Sequence, residues 1–170
     1  TRIGLELIDF LASPEGQDPL RPWLAELAHY EWAELGLQLS DAGLPAHDPH
    51  GDLFAGVPLL SPLAWPLGYQ WPVTRIGPEF QPEAPPPEPT LVLLQRSHDG
   101  KVRFSALSPL LFQLLERIGA NTSLSGRDLL VQLAHEAGQT DIDGFIDAAR
   151  PLLQQLHQQG VLAGTRIDAR

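Results

Sequence analysis

The residues with most chemical potential lie in one stretch, Trp23 to Leu39, which reads WLAELAHYEWAELGLQL. At about 100° per residue, Leu20, Trp23, Leu24, Leu27, Ala28, Tyr30, Leu35, Leu37 and Leu39 fill a broad apolar arc. On that wheel Glu31 falls beside Leu24 and Leu27, and Glu34 falls between Trp23 and Leu27. Glu26 and His29 fall on the opposite, wet side. A carboxylate within an apolar face costs several kcal/mol unless it is paired, protonated or met by a partner. Glu31 and Glu34 are therefore expected to pair with Arg21 or Arg75, to contact a partner protein, or to form a buried acid pair with raised pKa. Glu26 and His29 have the Glu-x-x-His spacing of di-iron carboxylate bundles, which need a second such pair on a facing helix. The sequence offers none, so a solvated helix face is the reading. His47-Asp48-Pro49-His50-Gly51-Asp52 gathers imidazole and carboxylate ligands in a loop. No supporting outer residues accompany them, so no metal site is assigned, and the alternative of a metal enzyme rests on His47, Asp48, His50, Asp52 and Glu26. His98 in a turn and His135 and His157 on helix faces read as surface histidines. The serines lack a nucleophile elbow, and no phosphate loop, dinucleotide fingerprint or zinc-hydrolase helix is present. No catalytic residue, metal or cofactor is expected, and the chain reads as a non-enzyme.

Composition narrows the classes further. The 170 residues are 43% hydrophobic and 19% charged, which fits a globular chain with a core of its own. The absence of cysteine excludes disulfides, thiol catalysis and iron–sulfur ligation. No apolar run approaches the roughly 20 residues of a membrane span and no secretory signal is seen, so a cytoplasmic location is expected. The lack of methionine and the start at Thr1 suggest a piece of a longer protein. The net charge of −10 resides wholly in residues 1–89, and residues 90–170 are balanced. With Lys101 the single lysine, the chain is a poor phosphate-backbone binder. An acidic surface suits a basic partner, or serves plain solubility.

The elements that must hold these residues follow from periodicity and breakers. Ile3 to Ala12 reads as a short helix stopped by Ser13-Pro14-Glu15-Gly16. The long helix follows, with Pro22 near its first turn and Ser40-Asp41-Ala42-Gly43 at its end. Residues 44–89 are dense in proline, which excludes a regular helix or a central strand. They are also apolar, from Leu53 to Ile76, and read as a segment wrapped over the core or as an aromatic contact surface carrying Trp65, Tyr69 and Trp71. Residues 82–89 read as a polyproline strap. Thr90–Arg96 and Lys101–Ala106 flank an Asp-Gly turn and predict a hairpin. Helices are predicted from Ser108-Pro109, from Ser125-Gly126-Arg127-Asp128 to Gly138, and from Asp141 onward, the last kinked or divided at Pro151. Val161 to Ile167 predicts a final strand. The fold class is thus α+β: a long N-terminal helix and a proline-rich irregular segment (20–89) packed with a winged-helix-like half (90–170) of hairpin, three helices and final strand, the two expected to form one domain. Winged helices either read DNA with a basic helix or take a peptide at a sheet edge. Gly126 to Ala137 carries one Arg against two acids, which favours the peptide or a structural role.

Pro22-Trp-Leu-Ala-Glu-Leu-Ala-His-Tyr-Glu-Trp32 resembles the opening of the C-terminal domain of a bacterial family long labelled DNA-binding, with HvfC-type and MbnC-type partner proteins of peptide natural-product maturation among its members. Val57-Pro58, Leu60-Ser-Pro-Leu-Ala-Trp65, Tyr69-Gln-Trp-Pro-Val73, Lys101-Val-Arg-Phe104 and Val161-Leu-Ala-Gly-Thr165 extend the resemblance in order across residues 20–170. Residues 1–12 then read as the edge of an N-terminal helical domain. The resemblance implies a non-catalytic protein that binds a ribosomal precursor peptide and a multinuclear-iron enzyme of barrel fold, which modifies the peptide's cysteines. On this reading Glu31, Glu34, Trp65, Tyr69 and Trp71 face the enzyme, and the strand Lys101, Val102, Arg103 and Phe104 takes the peptide at its edge. The alternative is the regulatory or dimerising C-terminal domain of a DNA-binding transcription regulator. No nucleic acid contact through this stretch and no membrane contact are expected.

Overall fold

The computed structural model describes residues 2–167, with side chains from Gly4 onward. In chain order the elements are α1 (Arg2–Ala12), α2 (Leu24–Gln38), β1 (His47–Asp48), β2 (Pro58–Leu60), β3 (Ala64–Tyr69), β4 (Thr90–Arg96), β5 (Val102–Ala106), α3 (Pro109–Ala120), α4 (Gly126–Glu136), α5 (Ile142–Gln158) and β6 (Leu162–Arg166). The class is α+β, with two three-stranded sheets, β1-β6-β2 and β3-β4-β5. Both proline-bearing strands, β2 with Pro58 and β3 with Pro66, are edges of their sheets. That is where a residue without an N–H can sit.

The chain folds into two compact units that interleave in sequence. One comprises residues up to Ser40 with Leu67–Ala106, and its framework is the β4-β5 hairpin with α2 on one face. Antiparallel register places Leu94 opposite Phe104 and Arg96 opposite Val102, so these four side chains share the face that α2 covers. Leu94 is fully buried, as are Ala33 and Leu37 of α2, which packs on β4. The turn is the Asp-Gly turn read from the sequence. Gly100 takes φ 78°, a left-handed conformation that glycine adopts without a Cβ penalty. At the far end of α2, Arg96 Nη1 donates to the carbonyls of Leu37 (3.1 Å) and Gln38 (2.9 Å). These are carbonyls that the last helical turn leaves without a partner of its own. Gln38 Nε2 adds a bond to Gly100 O at 3.1 Å. α1 packs on α2, and Gly4 permits the approach: a Cβ there would sit 2.4 Å from the Trp32 ring.

The other unit comprises Asp41–Pro66 and the chain from Leu107 onward. Its helices start where the sequence signals them. Ser108, Ser125 and Asp141 accept from the N–H of Leu111, Asp128 and Gly144 respectively, each satisfying an orphan donor of the first turn. Leu114, Leu115, Ile118, Leu130, Leu133 and Leu153 fill the core, each contributing about 1.5–3 kcal/mol by burial. Arg117 of α3 is ion-paired with Glu136 of α4. At Gly126 a Cβ would lie 2.1 Å from Leu53 O. Glycine there lets the loop dock so that Gly126 and Arg127 donate to the carbonyls of Gly56 and Phe54. α5 runs as one helix through Pro151, so of the two expected outcomes, kink or division, it is not divided. Proline removes one ladder bond, and burial of Ile146, Leu153 and Leu156 on either side keeps both halves packed on the core.

Two groupings differ from the sequence reading. The hairpin does not join the three helices in a 90–170 module, because its buried face is taken by α2. The final strand β6 instead pairs with β1 and β2, with Asp48 and Pro58 both aligned to Thr165 and Leu59 to Gly164. Two of the three strands of that sheet thus come from residues 47–60, a stretch short enough per strand to pass for irregular chain.

Arg96→Ala is predicted to lower the unfolding free energy by about 2 kcal/mol, the worth of charged hydrogen bonds to otherwise open carbonyls. A urea titration followed by Trp fluorescence checks it; an unchanged midpoint would mean the helix end is held by other contacts.

Candidate functional site

The packed side of α2 is not the leucine-rich arc. Trp23, Ala33 and Leu37 are buried, whereas Leu35 and Leu39 are 49% and 62% exposed. On the helical wheel Glu26 falls between Ala33 and Leu37, and it sits in the protein interior's edge rather than in water. Its two carboxylate oxygens accept the backbone N–H groups of Gln70 (3.2 Å) and Trp71 (2.9 Å). His29, one turn on, has Nδ1 2.9 Å from the hydroxyl of Tyr69. Both residues expected on the wet side therefore hold the 69–71 segment. Conversely Glu31 and Glu34 are exposed, which corrects their placement in an apolar face. Neither makes a hydrogen bond or ion pair among the described residues, and Arg21 and Arg75 do not reach them.

The aromatic residues divide. Tyr69 and Trp71 are buried, at 5% and 8% exposure, so they belong to the core and not to a contact surface. Burial raises the Tyr69 hydroxyl far above its ordinary pKa and lowers the His29 imidazole, so the neutral pair is the stable one. Trp65 is half-buried, and its Nε1 donates to Pro62 O at 2.9 Å. A groove of about 300 Å³ lies beside His29, lined by Ile8, Ala12, Ala25, Leu67 and Tyr69.

β5 occupies the edge of its sheet, so Val102, Arg103 and Phe104 lie on an edge strand and Lys101 leads into it. Ser97 N–H donates to Lys101 O at 3.0 Å, which makes that pair a hydrogen-bonded one. Alternation then makes Gln95–Arg103 and Leu93–Ser105 the bonded pairs, and turns the N–H and C=O groups of Val102, Phe104 and Ala106 to the open edge. Phe104 is 37% exposed and its ring centroid lies 5.3 Å from that of Tyr30. Tyr30 in turn meets Tyr69 edge-on at 5.9 Å. Its hydroxyl pKa is raised by burial, then by the charges of Glu31 and Glu34. Tyr30 thus joins residues that the sequence placed at two separate sites, Glu31 and Glu34 with Phe104. Tyr69 and Trp71, being buried, do not join that surface.

The loop of histidines and aspartates is committed locally. His47 Nδ1 lies 2.8 Å from Pro45 O, Asp48 accepts from His50 N–H, and Asp52 accepts from Phe54 and Ala55 N–H. The two backbone bonds at Asp52 hold its carboxyl below the ordinary range. Among the described residues no group of three or more His, Asp or Glu is placed to hold a metal ion. The same loop and α5 line a polar cleft of about 620 Å³ in which Arg150 stacks 3.9 Å above the Phe54 ring. The residues missed from sequence are Tyr30 as a link and Glu26 and His29 as anchors. The signal available was Ala33, a small residue that is fully buried on the packed side of α2.

Residues 61–157, more than half of the chain, match the model of the HvfC C-terminal domain, and the chain belongs to that family. Membership fits a partner role in maturation. No curated protein matches the chain in sequence. No helix among the described residues is long and apolar enough to cross a membrane.

The corrected wheel makes opposite predictions for the four polar residues. Glu26→Ala is expected to cost about 1–3 kcal/mol by leaving two N–H groups without their acceptor, whereas Glu31→Gln and Glu34→Gln stay within about 0.5 kcal/mol; equal effects would restore the original arc. For His29 the folded pKa lies below the unfolded value of 6.5. As pH falls below 6.5 the unfolded chain takes the proton first, so stability declines down to the folded pKa and then levels. Urea midpoints at stepped pH should show a decline that His29→Gln reduces; a midpoint equally pH-dependent in the variant would contradict it.

Proposed function

We propose that this chain is a non-catalytic partner protein in peptide natural-product maturation. It binds a ribosomally made precursor peptide and presents it to a multinuclear-iron enzyme of barrel fold, which carries out the metal chemistry on the peptide's cysteines. The observation that carries this reading is the HvfC C-terminal domain match on a chain whose hairpin leaves one edge open. β5 turns a row of backbone donors and acceptors outward, and an extended peptide can continue such a sheet by main-chain bonds, with side-chain pockets supplying selectivity. The acidic charge of residues 1–89 supports attraction of a basic partner surface, and half-buried Trp65 is the member of the aromatic set still available to one.

The reading assigns no reacting group to this chain. Its histidines and carboxylates with resolved partners are used as structural acceptors and donors, at Glu26, His29, Asp48 and Asp52. Its contribution to the reaction would be to hold the substrate peptide in extended form beside the enzyme, which converts an encounter of three molecules into one of two.

Co-expression of the full-length protein with the barrel enzyme and precursor encoded beside it is predicted to yield a stable complex with iron in the enzyme subunit. Mass spectrometry of the precursor should then show cysteine modification only when all three are present. A precursor modified equally well without this protein, and no complex, would overturn the reading.

A further inference from the structure

The edge of β5 and the exposed carboxylates of α2 form one surface, and its arrangement specifies the peptide it takes. Two contacts fix the alignment of α2 along β5. Tyr30 meets Phe104, and Gln38 meets Gly100. The helix therefore runs opposite in direction to the strand. Glu34, midway between Tyr30 and Gln38, falls level with Val102, midway between Phe104 and Gly100. Glu31 lies next to Tyr30, and both carboxylates act on its hydroxyl through their charge. Both side chains are exposed and carry no ion pair among the described residues. The nearby cations form no ion pair with them. Arg96, which shares the α2 face with Val102, spends its Nη1 on the carbonyls of Leu37 and Gln38. Arg103 points to the other face of the hairpin, by strand alternation, where it and Lys101 flank Asp99 at 3.7 and 4.0 Å. A strand added to β5 would thus run past an apolar ring, Phe104, and then past two uncompensated carboxylates, on the α2 side.

We propose that this edge selects an extended, cationic peptide, in which an apolar or β-branched residue packs against Phe104 and a Lys or Arg stands beside Glu34 and Glu31. The proposal rests on the peptide-binding reading above and adds the charge of the substrate to it. Main-chain bonds supply the docking, and the carboxylates supply the choice. Long-range attraction by the acidic chain would favour any cation, so the local claim is that the preference depends on these two glutamates in particular.

Fluorescein-labelled nine-residue peptides test it, with Val and Thr at alternate positions and Lys, Gln or Glu at the others. Anisotropy titrations against the chain at low and raised salt are expected to rank Lys above Gln above Glu. The Lys-over-Gln preference should shrink with salt as exposed charges are screened. In the Glu31→Gln, Glu34→Gln double variant, the Lys peptide should weaken by about threefold or more, in line with two exposed ion pairs, while the Gln peptide is unchanged. N-methylation of alternate peptide amides should abolish binding of all three. Affinity independent of charge, or a Lys preference that survives the double variant, overturns the charge assignment alone. Absence of binding by every peptide, or binding indifferent to N-methylation, overturns the edge-docking reading and this inference with it.

Discussion

The carboxylate of Glu26 and the guanidinium of Arg96 hold α2 at its two ends, and most of what can be said about the first unit depends on them. Glu26 gathers two backbone N–H groups at Gln70 and Trp71; Arg96 closes two carbonyls at Leu37 and Gln38. Each joins the helix to chain more than 40 residues away, so the rotation of α2 about its axis is set by charged hydrogen bonds as well as by leucine burial. With that rotation fixed, Glu31 and Glu34 must point to solvent and Tyr30 must point at Phe104. Rotating the helix to bury the leucine arc would strand a carboxylate and a guanidinium without partners, at a cost that apolar area on Leu35 and Leu39 does not offset.

This explains which parts of the structure were legible in the sequence. The hairpin followed from alternation and an Asp-Gly turn. The three later helices followed from Ser108, Ser125 and Asp141, whose side chains cap them as read. These are local signals, and local physics decided them. The orientation of α2 was not local. Its leucines form a broad arc that is not the packed side, and the deciding partners, Gln70, Trp71 and Arg96, lie far along the chain. The strands at 47–60 failed to register for a related reason. They are two and three residues long, and they exist because β6 pairs with them, not because their own pattern demands it.

The candidate site shows the same division. Lys101–Ala106 was expected at a sheet edge, and β5 lies at one. The glutamates were singled out for being buried, and their interest proves to be that they are exposed, unpaired and beside that edge. Tyr69 and Trp71, chosen as aromatic contact residues, are buried, and Tyr69 meets Tyr30 from the core side. The first unit thus presents an open row of amides, one apolar ring and two charges on a hairpin that α2 packs against.

Amide hydrogen exchange along β5, with and without the precursor peptide, tests the central claim most directly. In the free protein Arg103 and Ser105, bonded to β4, should exchange slowly, while Val102, Phe104 and Ala106 exchange fast. Saturating peptide should protect Val102, Phe104 and Ala106 and leave the alternate pair as it was. Bound peptide that leaves those three amides exchanging as before would contradict docking at this edge.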